Sequence, residues 1–111
     1  MSVGVFRFKD DNISAQSVRI FFASVASEEF YNRVWTKALL ETNIQIFKEG
    51  SEFKPTQIND VLEELHRLIW WCMNNLEKGS SDHTYMNNHL CFLIQSISEE
   101  ASKGDEIFYI F

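Results

Sequence analysis

Three histidines, two cysteines and sixteen carboxylates are the residues of this chain with chemistry to offer. Spacing decides what they can do. Two histidines four residues apart on a helix would make a metal site, but His66, His83 and His89 offer no such pair. A thiol nucleophile needs a base within reach; His89 lies two residues from Cys91, and on a helix the two side chains point apart. Cys72 and Cys91 form no CxxC and have no histidine at ligand spacing, so both read as free thiols among apolar residues. Eleven of the carboxylates cluster, at Asp10 and Asp11, Glu28 and Glu29, Asp60, Glu63 and Glu64, Glu99 and Glu100, and Asp105 and Glu106. Most stand where helix first turns and solvated polar faces are expected. There is no glycine-rich phosphate loop and no G-x-S-x-G elbow. The expectation is a chain with no catalytic residues, no metal and no cofactor.

The rings carry more information. On a helix expected over residues 57–78, Leu65, Leu68, Ile69 and Cys72 define the buried side, and Trp70 and Trp71 fall on its two flanks at about 100° per residue. Tyr85 and Phe92 similarly lie opposite Leu90, Leu93 and Ile94 on the next helix. A ring off the main stripe either lies under a second element or anchors an interface, and both readings stand. Under the interface reading, tryptophans beside carboxylates suit a basic protein partner. The candidate partner-binding residues are then Trp70, Trp71, Asp60, Glu63, Glu64 and Arg67, with Glu99 and Glu100 as a second acidic surface.

These residues need a scaffold, and 111 residues is the size of one domain, 1–111. At 45% hydrophobic and 14% aromatic, the composition supplies a core and argues against disorder. The net charge of −6 is repelled by phosphate backbones and anionic membranes, so direct nucleic-acid binding is not expected and a basic protein is the natural complement. Mild acidity alone also keeps a protein soluble. Met1–Phe8 does not read as a signal peptide, no apolar run reaches membrane-spanning length, and the thiols read as reduced. A cytoplasmic protein is expected.

Along the chain, Val3–Phe8 reads as a strand with Val5 and Arg7 facing one way and Phe6 and Phe8 the other. Lys9–Asn12 is a turn. Over Ser14–Val25 the spacing of Val18, Phe21, Phe22 and Val25 favours a helix over a buried strand. Ser27 caps a helix that buries Phe30, Tyr31, Val34, Trp35, Ala38 and Leu39 and stops at Asn43. Ile44–Phe47 is a strand candidate, and Lys48–Lys54 a polar loop. Thr56 caps a helix over Gln57–Lys78 with the stripe Ile58, Val61, Leu62, Leu65, Leu68, Ile69, Cys72 and Leu76, stopped by Gly79. Glu63, Glu64, Arg67, Asn74, Asn75 and Lys78 line its other side. Ser81 or Asp82 caps a helix over His83–Ser102 with the stripe Met86, Leu90, Leu93, Ile94, Ile97 and Ala101, ended at Gly104. The apolar Glu106–Phe111 strand must pair, with Val3–Phe8 or Ile44–Phe47 as neighbour. The expected fold class is α+β, three to four helices packed on a small sheet; the alternative is an all-α bundle with short extended ends.

In size, acidity and the acidic surfaces at Asp60/Glu63/Glu64 and Glu99/Glu100, with Trp70/Trp71 beside the first, the chain resembles the immunity proteins of bacterial toxin–immunity systems, including contact-dependent growth inhibition. The resemblance spans the whole chain as a set of traits without a shared motif. It implies a cytoplasmic protein that binds one cognate toxin domain, often a basic nuclease, and blocks its active site without catalysis of its own. Phage-encoded acidic inhibitors share these traits. Two other classes stay open: an adaptor or homodimeric subunit that associates through Trp70/Trp71, and a small enzyme with a dispersed site.

Overall fold

The computed structural model describes residues 2–14 and 17–111. Strand β1 (Ser2–Phe8) and strand β2 (Arg19–Ser27) form an antiparallel hairpin with Phe6 opposite Phe22. A 3-10 turn, Lys9–Asp11, leaves β1, with Asp10 and Asp11 both at positive φ. The sheet is completed by β3 (Glu52–Phe53) and β4 (Phe108–Ile110) in the order β2-β1-β4-β3, every neighbour antiparallel. The fold is α+β, as expected.

The helix expected over Ser14–Val25 is instead largely β2, although Ala15 and Gln16 lie outside the described residues. The reason lies in two irregularities of register. Val3 pairs with Ala26 but Gly4 with Ser24, so Val25 has no opposite; Arg7 pairs with Phe21 but Phe8 with Arg19, so Ile20 has none. Such bulges break the two-residue alternation. Adjacent Val25 and Ala26 are both buried, and the resulting apolar spacing imitates a helix.

Helix α1 (Glu28–Phe30) starts at Ser27, whose Oγ accepts from Phe30 N at 3.2 Å. It runs through a π turn, Tyr31–Trp35, into α2 (Thr36–Glu41), burying Phe30, Tyr31, Val34, Trp35 and Ala38. Asn43, at φ 55°, ends it. Ile44–Phe47 is not a strand, and β3 arises within the stretch expected to be a polar loop. Consecutive amides of that segment are already taken: Gln45 N, Ile46 N and Phe47 N donate to the Glu64 carboxylate at 2.8–3.2 Å. A segment whose amides all converge on one side chain has none left for a ladder.

Helix α3 spans Ile58–Asn75 and α4 spans Ser81–Glu100. Both are shifted from the expected bounds. A 3-10 turn, Pro55–Gln57, precedes α3, so Thr56 is not its cap; Gln57 Oε1 accepts from Lys54 N instead. Leu76 is already extended, and Gly79 sits in the following turn at φ 87°. The cap of α4 is Ser80, one residue before the expected pair, accepting from His83 N at 3.1 Å. The helices pack on each other, α4 packs on β2, and the core gathers Val3, Val5, Ala23, Val25, Phe108 and Ile110 from the sheet with Leu65, Leu68, Met86, Leu90, Leu93 and Ile97 from the helices.

Arg7 points into this core beside Val5 and is fully buried. Its guanidinium donates to the carbonyls of Glu100, Gly104 and Glu106 at 2.7–3.1 Å and to Glu100 Oε1 at 3.3 Å. It also lies 4.4 Å from the centre of the Phe108 ring. One side chain of β1 thereby ties down the end of α4 and the whole connection into β4. Breaking a buried charged network by removing one partner costs about 3–5 kcal/mol. Arg7→Met should therefore lower the thermal midpoint far more than a surface substitution, by circular dichroism; an unchanged midpoint would refute the role.

Candidate functional site

Asp60, Glu63, Glu64, Arg67, Trp70 and Trp71 all lie on α3, and the structure separates them. Trp70 is 68% exposed whereas Trp71 is 4% exposed. Their side chains point about 100° apart, and α2 covers the Trp71 flank. Trp71 Nε1 donates to Glu41 Oε1 at 2.8 Å, and Arg67 Nη1 donates to the Thr42 carbonyl at 2.7 Å. Trp71 is thus a core ring with its polar edge satisfied, contrary to the interface expectation. Glu64 is likewise buried and occupied by the amides of residues 45–47, not an acidic surface. What remains on the solvent side is a ridge of Glu63, His66, Trp70, Met73 and Asn74, with Asp60 beside it. Arg67 leans over the side of this ridge, 3.6 Å from Glu63 and 3.8 Å from Glu64.

The second acidic surface divides in the same way. Glu99 is exposed, taking a bond from Gln95 Nε2 at 3.3 Å. Glu100 turns inward to Arg7 and has Lys103 at 3.7 Å. Only one of the two is free for a partner. Tyr85, expected off the stripe, is partly covered against Phe30 and accepts from Ser27 N at 2.9 Å, while Phe92 stays exposed.

A surface that sequence reading missed lies on the outer face of the sheet. Phe6 stacks on Phe111 with ring centres 4.6 Å apart and packs on Phe22 at 5.1 Å; Phe8 lies 6.1 Å from Phe6 and from Tyr109. Phe22 and Phe111 remain 44% and 48% exposed. Gly4 makes room for this array: a Cβ there would stand 2.6 Å from the Phe22 ring and 3.2 Å from that of Phe6. Arg19 lies over Phe22 at 5.3 Å on one side of the array. On the other, burial raises the Tyr109 hydroxyl pKa, with further upward pushes from Asp11 and Glu52. The common face of Phe6 and Phe8 was legible in the sequence, and Tyr109 and Phe111 lay within a strand apolar throughout. Phe22 was not, because β2 read as a helix.

The titratable groups elsewhere serve structure. Arg33 is gripped by Asp82, at 2.7 and 3.0 Å, and by Glu29; the guanidinium holds the Asp82 carboxyl below its usual pKa. Burial raises the Tyr31 hydroxyl, which accepts from Glu49 N. Among the described residues no three His, Cys, Asp or Glu side chains gather as a metal site would require, and no helix is long and apolar enough to cross a membrane. Cys72 is buried, and that burial raises its thiol pKa, whereas Cys91 is exposed on α4 rather than in the core. No protein-family model, curated protein or solved structure matches the chain.

Two measurements separate surface from core here. Trp71→Ala should destabilise the fold by about 3–5 kcal/mol, while Trp70→Ala leaves the urea midpoint within about 0.5 kcal/mol of the parent; equal effects would contradict the placement of the two rings. In the native protein a thiol reagent should modify Cys91 rapidly and Cys72 only on unfolding, a distinction that peptide mapping by mass spectrometry reads directly.

Proposed function

We propose that this chain is a non-catalytic, cytoplasmic immunity-type inhibitor that binds a cationic toxin domain, the partner a basic nuclease whose active site it blocks. The observation that carries this reading is Trp70. A tryptophan that is two-thirds exposed on a long, well-anchored helix contributes nothing to the core, and beside the carboxylates of Glu63 and Asp60 it has the chemistry of an interface anchor. The charge of −6 supports the same partner, since opposite surfaces accelerate encounter. Trp71 and Glu64 drop out of the interface because the core uses them; Arg67 flanks it, and Glu99 adds one further carboxylate at a distance. A second reading, an adaptor or dimeric subunit, draws on a different observation, the uncovered aromatic face of the sheet.

The roles of charge and ring should be separable in binding kinetics. With the purified chain and a cationic toxin domain encoded beside it, Glu63→Lys with Asp60→Lys should slow association and flatten its salt dependence. Trp70→Ala should instead speed dissociation by about thirtyfold, the equivalent of about 2 kcal/mol at a hot spot. If the folded chain neither captures nor neutralises that domain, the inhibitor reading fails; if it does so with Trp70→Ala unaffected, the ridge is not the interface.

A further inference from the structure

The strand registers fix where each residue of the outer sheet face stands. Phe22, Phe6 and Tyr109 are level across β2, β1 and β4, with Glu52 of β3 next in line. Arg19 is level with Phe8. Ser24 and Phe111 are both level with Gly4, Phe111 exchanging backbone bonds with it at 2.9 and 3.1 Å. The rings therefore lie on both sides of β1, one on β2 and two at β4, with a cation on the β2 side and carboxylates, Asp11 and Glu52, on the β4–β3 side.

We propose that a second copy of this chain covers this face, the two sheets packing face to face about a two-fold axis parallel to β1. Such an axis exchanges the β2 and β4 sides. Phe6 and Phe8 then meet their own counterparts, and Phe22 meets Tyr109 of the second copy. Phe111 enters the space over Ser24, where no ring stands. Arg19 comes over Asp11 and Glu52 of the second copy, and symmetry makes that contact twice. An axis laid across the strands through Phe6 would set Arg19 over Ser24 instead and leave the carboxylates without a counter-charge, so the charges select the first arrangement. Packed sheets lie about 10 Å apart with strands within about 30° of alignment, which rings on both inner faces can fill. A two-fold contact needs one self-complementary patch, and this face is one.

The magnitude sets the expected strength. Two half-exposed rings at roughly 100 Å² each, three better-covered ones, Arg19 and Glu52 come to roughly 500 Å² per copy. The pair buries about 1,000 Å², the lower bound of a specific interface. The dimer is therefore concentration-dependent. It uses a face remote in the chain from the Trp70 ridge and stands or falls independently of the inhibitor reading.

Sedimentation equilibrium of the full chain from about 10 μM to about 1 mM tests it. The expected result is a monomer–dimer equilibrium whose dissociation constant rises about tenfold or more in Phe22→Lys, with Trp70→Ala unchanged. Because losing Phe22 also removes its packing on Phe6, Arg19→Glu provides a second variant at an exposed position. It should weaken the dimer severalfold, and adding Glu52→Lys to the same chain should restore it. A chain that stays monomeric throughout, or a dimer indifferent to Phe22→Lys and Arg19→Glu, overturns the proposal.

Discussion

Arg7 has no contact with solvent, and a buried cation is tolerable only where its donors are all engaged. The acceptors it uses are main-chain carbonyls at Glu100, Gly104 and Glu106 with one carboxylate from Glu100. These carbonyls belong to the last residue of α4 and to the connection that runs from it to β4, a stretch with no ladder of its own. The guanidinium does there what regular secondary structure does elsewhere. It sets the distance between the end of α4 and the sheet, and so the placement of Phe108 and Ile110 as the strand between β1 and β3. Without β4 in that slot, β3 has no neighbour and the sheet reduces to a hairpin.

Glu64 plays the same part for a second irregular segment. Its carboxylate gathers the amides of residues 45–47 and so presses an irregular segment against α3, burying Ile44 and Phe47. Both devices put a charged group where hydrophobic patterning would place a leucine, and each serves backbone groups that would otherwise be buried without partners. Their use also removes charge from the surface. Of the acidic residues first associated with a partner, Glu64 and Glu100 are spent inside the fold, leaving Asp60, Glu63 and Glu99 outside.

Two aromatic surfaces survive this sorting, and they differ in kind. The Trp70 ridge is a single large ring beside Met73 and among polar neighbours, on a helix held from behind by Leu65, Leu68 and Cys72. Such a side chain offers one deep anchor and suits a partner with a pocket. The outer face of the sheet is built of several rings that stack on one another over Gly4. A self-complementary face of several rings suits a second copy of itself. Antiparallel sheets commonly leave one side to solvent with polar residues there; here that side is phenylalanine and tyrosine, which is the departure that calls for an occupant.

The sequence by itself determined the fold class, the helix capped by Ser27, the two long helices to within a few residues, the common face of Phe6 and Phe8 opposite Val5 and Arg7, and the need of the C-terminal strand to pair, with β1 as one of two candidate neighbours. Those features follow from short-range periodicity and capping, which are local properties of the chain. It did not determine β2, because bulges at Ile20 and Val25 bend a two-residue pattern into the likeness of a helical one. Nor did it determine which of Trp70 and Trp71 meets solvent, since either flank of a stripe is equivalent until a neighbour covers one. Tertiary structure decided these and the fate of Glu64: pairing with β1 makes β2 a strand, α2 lies against the Trp71 side and supplies Glu41 for its indole, and Glu64 is drawn inward by amides eighteen residues away in sequence, as at Ile46. Burial of a polar side chain depends on partners distant in the chain, and no local pattern records where those partners will be.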